Sequence, residues 1–240
     1  NWYDYGARHY DAALGRWNAV DTMAEKYYGV SPYAYCKNNP ILRVDIDGMY
    51  DYTIDKLGYI SKTGKAGNDR LLSTNKHIKP ININSGEVLD GMLKMQKDFL
   101  NPSKVIYNST NNMEDATNIF KFAADNTSVE WKLDVYDDKG STTAIIGTKH
   151  YEDRVFSDVQ KDLNVKGEKV FDLHSHPYNN VASKNDMDAL KVKTGAIYHK
   201  DTETMFFYNS KDKHIINEQI SDKKIISGKD IFDVIQKHLK

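Results

Sequence analysis

The sequence predicts an α/β chain of the layered α+β kind, a mixed sheet flanked by helices, preceded by a small β-rich segment. Three observations carry this. Apolar residues recur at helical spacing near 88–99 and again near 116–123, and period-two runs follow them. Tyrosine is unevenly spread: of the 16 in the chain, 7 lie in the first 35 residues. The composition, 40% hydrophobic and 28% charged over 240 residues, is that of a globular chain able to bury a proper core. The expected division is 1–49, β-rich; 50–83, a linking hairpin and loop; and 84–240, the layered domain.

Residues 1–48 interleave Trp2, Tyr3, Tyr5, Tyr10 and Trp17 with Gly6, Arg8, Gly15 and Arg16. Such runs favour hairpins and curled sheet. Tyr50–Asp55 and Tyr59–Ser61, joined through Lys56-Leu57-Gly58, read as a hairpin. Asn84 to Glu87 reads as a capping box, with the Val88, Leu89, Met92, Leu93, Met95 and Phe99 stripe running to Leu100. A second helix is expected from Met113 to Asp125, capped by Asn111 or Asn112. Strands are expected at 129–136, 142–148 and 168–174, with a short helix at 155–163. Then come a helix at 183–191, strands at 195–200, 204–208 and 214–218, and a last helix at 229–238.

Charge and cysteine content narrow the chemistry. With 33 basic and 34 acidic residues the net charge is −1, which gives no broad electrostatic case for nucleic acid or an anionic membrane. No long apolar run suits a transmembrane helix. The first residue is Asn1 and no signal peptide follows, so the chain reads as part of something longer. Cys36 is the single cysteine, so a metal site here must use histidine and carboxylate.

The candidate site lies in Val170-Phe171-Asp172-Leu173-His174-Ser175-His176-Pro177 and the Ser183-Lys184-Asn185-Asp186 that follows. His174 and His176 are two apart on a strand, so their rings share a face and can meet one small cation. Two nitrogens and a carboxylate suit zinc, with one position left for water. Ser183 as an N-cap would set Asp186 in the first turn of a helix, facing back toward the strand end. A nearby carboxylate must take the water's proton and pass it to the leaving amine. Glu130, on the polar face of its strand, is the candidate; Glu152 and Glu168 compete, but Glu168 sits too far down the histidine strand. His150, His199, His214 and His238 read as surface residues, with His199 the one that can line the cleft. An amidohydrolase barrel does not fit the length, and a zinc deaminase needs paired cysteines.

His174-x-His176-Pro177 with Ser183-x-x-Asp186 and an upstream glutamate resembles the JAMM motif of JAB/MPN-type metalloproteases, over about residues 105–210. The resemblance implies Zn2+ held by His174, His176 and Asp186, with Glu130 as general base and Ser183 stabilising the transition state. It implies cleavage of peptide or isopeptide bonds. The loop from His176 to Ser183 is one residue shorter than the family's usual form, which keeps Asp188 open as the alternative ligand.

Residues 1–49 resemble the C-terminal end of the RHS-repeat core, through Tyr5-Gly6-Ala7-Arg8-His9-Tyr10-Asp11, Gly15-Arg16-Trp17, Ser31-Pro32-Tyr33-Ala34-Tyr35, Asn38-Asn39-Pro40 and Asp45-Ile46-Asp47-Gly48-Met49. In that family a β-shell encloses a toxic C-terminal domain and cuts itself with an aspartate pair, by position Asp21 and Asp45 here. Together the resemblances imply the toxin end of an RHS-family polymorphic toxin. It would be delivered from a bacterium by a secretion system into a target cell's cytoplasm. Its partners would be a protein or peptide substrate, an immunity protein and the rest of the RHS shell. Two other functions compete: a JAB-like binding module without catalysis, and a metal-dependent nuclease.

Overall fold

The computed structural model describes residues 2–4, 8–20, 31–35, 51–63, 69–98, 105–156, 158–178, 194–209 and 224–238. Strands β1 (Trp2–Asp4), β2 (His9–Asp11) and β3 (Arg16–Trp17) make a small antiparallel sheet in that order. The β2–β3 turn is drawn by Asp11, whose side chain accepts from the Ala13 and Leu14 amides. Gly15 closes it at a φ of 66°, in the left-handed region. Trp17 and Tyr35 are buried here with Tyr10 against them, and the Arg8 guanidinium lies 4.4 Å over the Trp17 ring.

Residues 51–83 hold more than the expected hairpin and loop. Four strands, β4 (Asp51–Ile54), β5 (Ile60–Thr63), β6 (Arg70–Ser73) and β7 (Ile81–Asn82), form a sheet in the order β5-β4-β6-β7. Tyr52, Ile54, Ile60, Leu71 and Ile83 join the same apolar core as the larger sheet. Arg70 grips Asp51 with two nitrogens, at 2.8 and 2.6 Å. The linking segment is thus packed as part of the layered domain's core.

Helix α1 (Glu87–Lys97) follows and buries Val88, Leu89, Met92 and Leu93. Its N-cap is Gly86, with no side-chain cap, so the expected capping box does not form. Asn84 turns instead to Asp115, giving it both its amide and its side-chain nitrogen. The Gly86 amide donates to Asp69. Strand β8 (Ile106–Thr110), absent from the sequence expectation, comes next. Helix α2 (Met113–Asn126) is capped by Asn112, which accepts from the Asp115 amide.

Strands β9 (Trp131–Asp138), β10 (Ser141–Thr148), β11 (Glu168–His176), β12 (Thr194–His199) and β13 (Thr204–Asn209) complete a six-stranded sheet, ordered β13-β12-β11-β9-β10-β8. Only β11 and β12 run parallel among its pairs. Helix α3 (Gly228–His238) packs on α2. Alternation puts Trp131, Leu133, Val135, Phe171 and Leu173 in the main core. The other sheet face is covered too: Tyr136, Ile145, Phe156 and Val159 cluster there with Leu163 and Val165. The covering stretch forms turns among its described residues rather than the expected helix. Asp158 accepts from the Gln160 amide, and Asn164 takes a φ of 52°; both break helical continuity. The expected helix at 183–191 and strand at 214–218 lie outside the described residues. The described domain is therefore α+β, mixed sheets with helices. Among the described residues no helix is long and apolar enough to cross a membrane.

Candidate metal-hydrolase site

The antiparallel register of β9 and β11 sets His174 opposite Lys132. Two residues further along, His176 comes level with Glu130, just before β9 begins. Glu130, Lys132, His174 and His176 thus share one sheet face. The Trp131 amide between them donates to the Ser175 hydroxyl at 2.9 Å, which ties the strands where the ladder ends.

The Nε2 atoms of His174 and His176 lie 3.1 Å apart, and His176 Nε2 lies 3.5 Å from Glu130 Oε1. All three side chains are buried. Tyr208 from β13 meets the His174 ring edge-on. Two imidazole nitrogens this close need a proton or a cation between them. Zinc–nitrogen bonds of about 2.0–2.1 Å at a tetrahedral angle put two ligands roughly 3.3 Å apart, close to the observed gap. The donor set therefore fits zinc through His174 and His176. Among the described residues no group of three ligands is complete. Ser183, Asp186 and Asp188, and also Asp21 and Asp45, lie outside the described residues.

Glu130 is fixed from both sides of its backbone. Its amide donates to the Tyr151 carbonyl at 2.8 Å, and its carbonyl accepts from Thr148 Oγ1 at 2.7 Å. The loops around it are clamped by the tip of the β4–β5 hairpin. Ser128 donates to the Lys56 carbonyl at 2.8 Å, and His150 Nδ1 donates to the Leu57 carbonyl at 2.7 Å. The His150 ring stacks on Tyr59 at 4.2 Å. Gly58 takes a φ of 80°, which side chains rarely adopt, and a Cβ there would press to 3.0 Å from Val129 and 3.2 Å from His150.

Beneath the histidines lies a buried charge quartet that the sequence reading missed. A bulge between Lys169 and Phe171 turns Lys169 and Asp172 onto the same face of β11. They meet Lys132 and Asp134 from β9. Lys169 Nζ donates to Asp134 at 2.8 Å and to Asp172 at 3.3 Å; Lys132 reaches both carboxylates at 3.3 Å. Burial works against the Lys132 charge, but the two aspartates hold its pKa above the ordinary lysine value. Burial also works against Asp172, yet Lys132, Lys169 and then His174 bring its pKa below the usual range. Asp134 goes the other way: burial, then the Asp172 charge, pushes its pKa up to about 6.

His199 does not lie on the surface. It is buried at the end of β12, in register with His176. Glu152 is exposed, and Glu168 stands at the far end of β11, opposite Asp137. Neither competes with Glu130.

The fold and site define a class: an α+β domain with a buried His-x-His pair on a central strand and a buried glutamate level with it on the next. Residues 108–193 match the family model described as JAB-like toxin 1. That span runs from β8 through β11 and contains Glu130, His174 and His176. It leaves out residues 51–83. No curated protein and no solved structure matches the chain.

Proposed function

We propose that the chain is the toxin region of a delivered bacterial effector, and that its site is a zinc-dependent peptidase or isopeptidase. The carrying observation is the Glu130 carboxylate 3.5 Å from a histidine pair whose Nε2 atoms are 3.1 Å apart. The similarity of residues 108–193 to JAB-like toxins supports the toxin part.

His174 and His176 would hold the zinc, with Asp186 or Asp188 as the third ligand. The bound zinc would supply a Lewis acid and lower the pKa of a water to about 7. Glu130 would take that water's proton as it attacks the substrate carbonyl, and return the proton to the leaving amine. Burial favours this role, because a carboxylate shielded from bulk water exchanges its proton with the reacting groups rather than with solvent. Ser183 would donate a hydrogen bond to the developing oxyanion. Residues 1–49 would be the end of an RHS shell, with Asp21 and Asp45 as its self-cleavage pair. The partners would be a protein or peptide in the target-cell cytoplasm and a cognate immunity protein.

The test separates metal binding from chemistry. Wild-type protein is expected to carry stoichiometric zinc by elemental analysis and to poison cells that express it. Glu130→Gln should keep the zinc and lose peptide hydrolysis by about 10²–10⁴-fold. The double variant His174→Ala, His176→Ala should lose both zinc and toxicity. Wild-type protein without zinc, poisoning cells equally well after chelation, refutes the hydrolase and favours a binding module.

A further inference from the structure

One buried nitrogen beside the site has no partner. His199 is 7% exposed and ends β12 on the face that carries the histidine pair. Its Nδ1 lies 3.1 Å from Thr202 Oγ1, which is 2.5 Å from Thr204 Oγ1. The Thr202 contact, itself backed by Thr204, orients the ring. Its Nε2 is buried without a hydrogen bond. Burial holds the ring's pKa below the ordinary histidine value, against the pull of Asp201 and with the help of Lys200. A neutral ring held in one orientation with one free nitrogen is a preformed hydrogen-bonding point. Leaving such a nitrogen buried and empty is unfavourable, and native interiors rarely do so without a functional reason.

The surroundings give its occupant. Parallel pairing sets His199 beside His176, one strand further from Glu130. Just past the two histidines along the chain, the exposed ring of Tyr178 lies 6.0 Å from Lys200 Nζ, which also donates to the Thr127 carbonyl at 2.8 Å. This outer edge therefore carries groups that can meet a ligand crossing the ends of β11 and β12. A peptide main chain offers an N–H and a carbonyl at every residue, so one peptide group serves either tautomer of the ring.

We propose that His199 is a substrate-contacting residue, its Nε2 hydrogen-bonded to the main chain of a peptide substrate next to the scissile bond. This rests on the peptidase reading above. The test uses the full 240-residue chain, zinc-loaded, on an internally quenched peptide library of mixed sequence. His199→Phe should raise KM about tenfold, the effect of one lost hydrogen bond, and leave kcat within about twofold. Zinc content should stay unchanged. His199→Gln, which keeps a hydrogen-bonding group near the Nε2 position, should hold KM near wild type; it also carries the test if the phenylalanine variant does not fold. An unchanged KM in His199→Phe, a loss confined to kcat, a loss of zinc, or a glutamine variant as weak as the phenylalanine one overturns the contact while wild-type cleavage stands. A wild-type chain inert on the whole library overturns the peptidase reading, and this contact with it.

Discussion

Replacing Asp134 with asparagine is expected to stabilise the chain above neutral pH, although it removes a partner from two buried ion pairs. Asp134 is fully buried, and its Oδ1 has no hydrogen bond. Its other oxygen shares two lysines with Asp172. Four charges in one dry layer must be fully satisfied to repay their desolvation, and this oxygen is not. The carboxyl pKa is raised from 3.8 to about 6. At about 1.4 kcal/mol per pH unit, the gap corresponds to about 3 kcal/mol. The sign follows from proton binding. The folded chain holds this proton more tightly than the unfolded chain, so this group's contribution falls as pH rises from 3.8 to about 6 and stays low above. Asparagine imitates the neutral carboxyl: its oxygen can accept from Lys169 and its nitrogen can donate to Asp172. The variant should gain about 1–3 kcal/mol at about pH 8, and the gain should vanish near about pH 4. Urea unfolding followed by tryptophan fluorescence reads this as a midpoint higher by about 0.5–1.5 M with the slope unchanged. A lower midpoint than wild type at the higher pH refutes the reasoning, because the ion pairs would then outweigh the desolvation.

Two further substitutions test the frame around the site. A Cβ on Gly147 would collide with the Ile106 carbonyl and with the Cα of Tyr107, which are backbone and cannot step aside. Gly147→Ala should cost about 1–3 kcal/mol or more and lower Tm by about 5 °C or more. Asp115 is buried and accepts from the Asn84 amide at 2.7 Å, the Ser85 amide at 3.0 Å, and the side chains of Asn84 and Asn112. Asp115→Ala should destabilise by about 2–4 kcal/mol, seen in denaturant midpoints, and amide exchange should rise first at residues 84–86.

His174 and His176 were legible because their pattern is local and needs only the strand's period of two. Glu130 reads in the sequence as a polar-face carboxylate that a sheet can bring beside the histidines, and the pairing of β9 with β11 sets it level with His176. The quartet was not legible in the same way. Lys132 and Asp134 alternate with apolar residues and so read as a polar face, but Phe156, Val159, Leu163 and Val165 pack over that face. The bulge that brings Lys169 and Asp172 together has no sequence signal of its own. Strand β8 escaped because Asn108, Ser109 and Thr110 are polar; it is placed by pairing with β10 and by α1 across it. The capping box at Asn84 failed for a related reason. Asp115, thirty-one residues away, competes for the same groups and wins. His199 reads in the sequence as a surface histidine that can line the cleft; it is parallel pairing that sets it, buried, beside His176.

The hairpin tip at Lys56–Gly58 sets where this domain can be cut and joined. Moved to another carrier from residue 84 onward, it would keep both histidines. It would also leave behind the carbonyls that Ser128 and His150 donate to, and the tyrosine on which His150 stacks. The glutamate would keep its own bonds to Tyr151 and Thr148, on loops that had lost their outer clamp. The smallest portable cassette starts before Asp51, upstream of the region that matches the JAB-like toxin model, so the transferable unit is longer than the similar one.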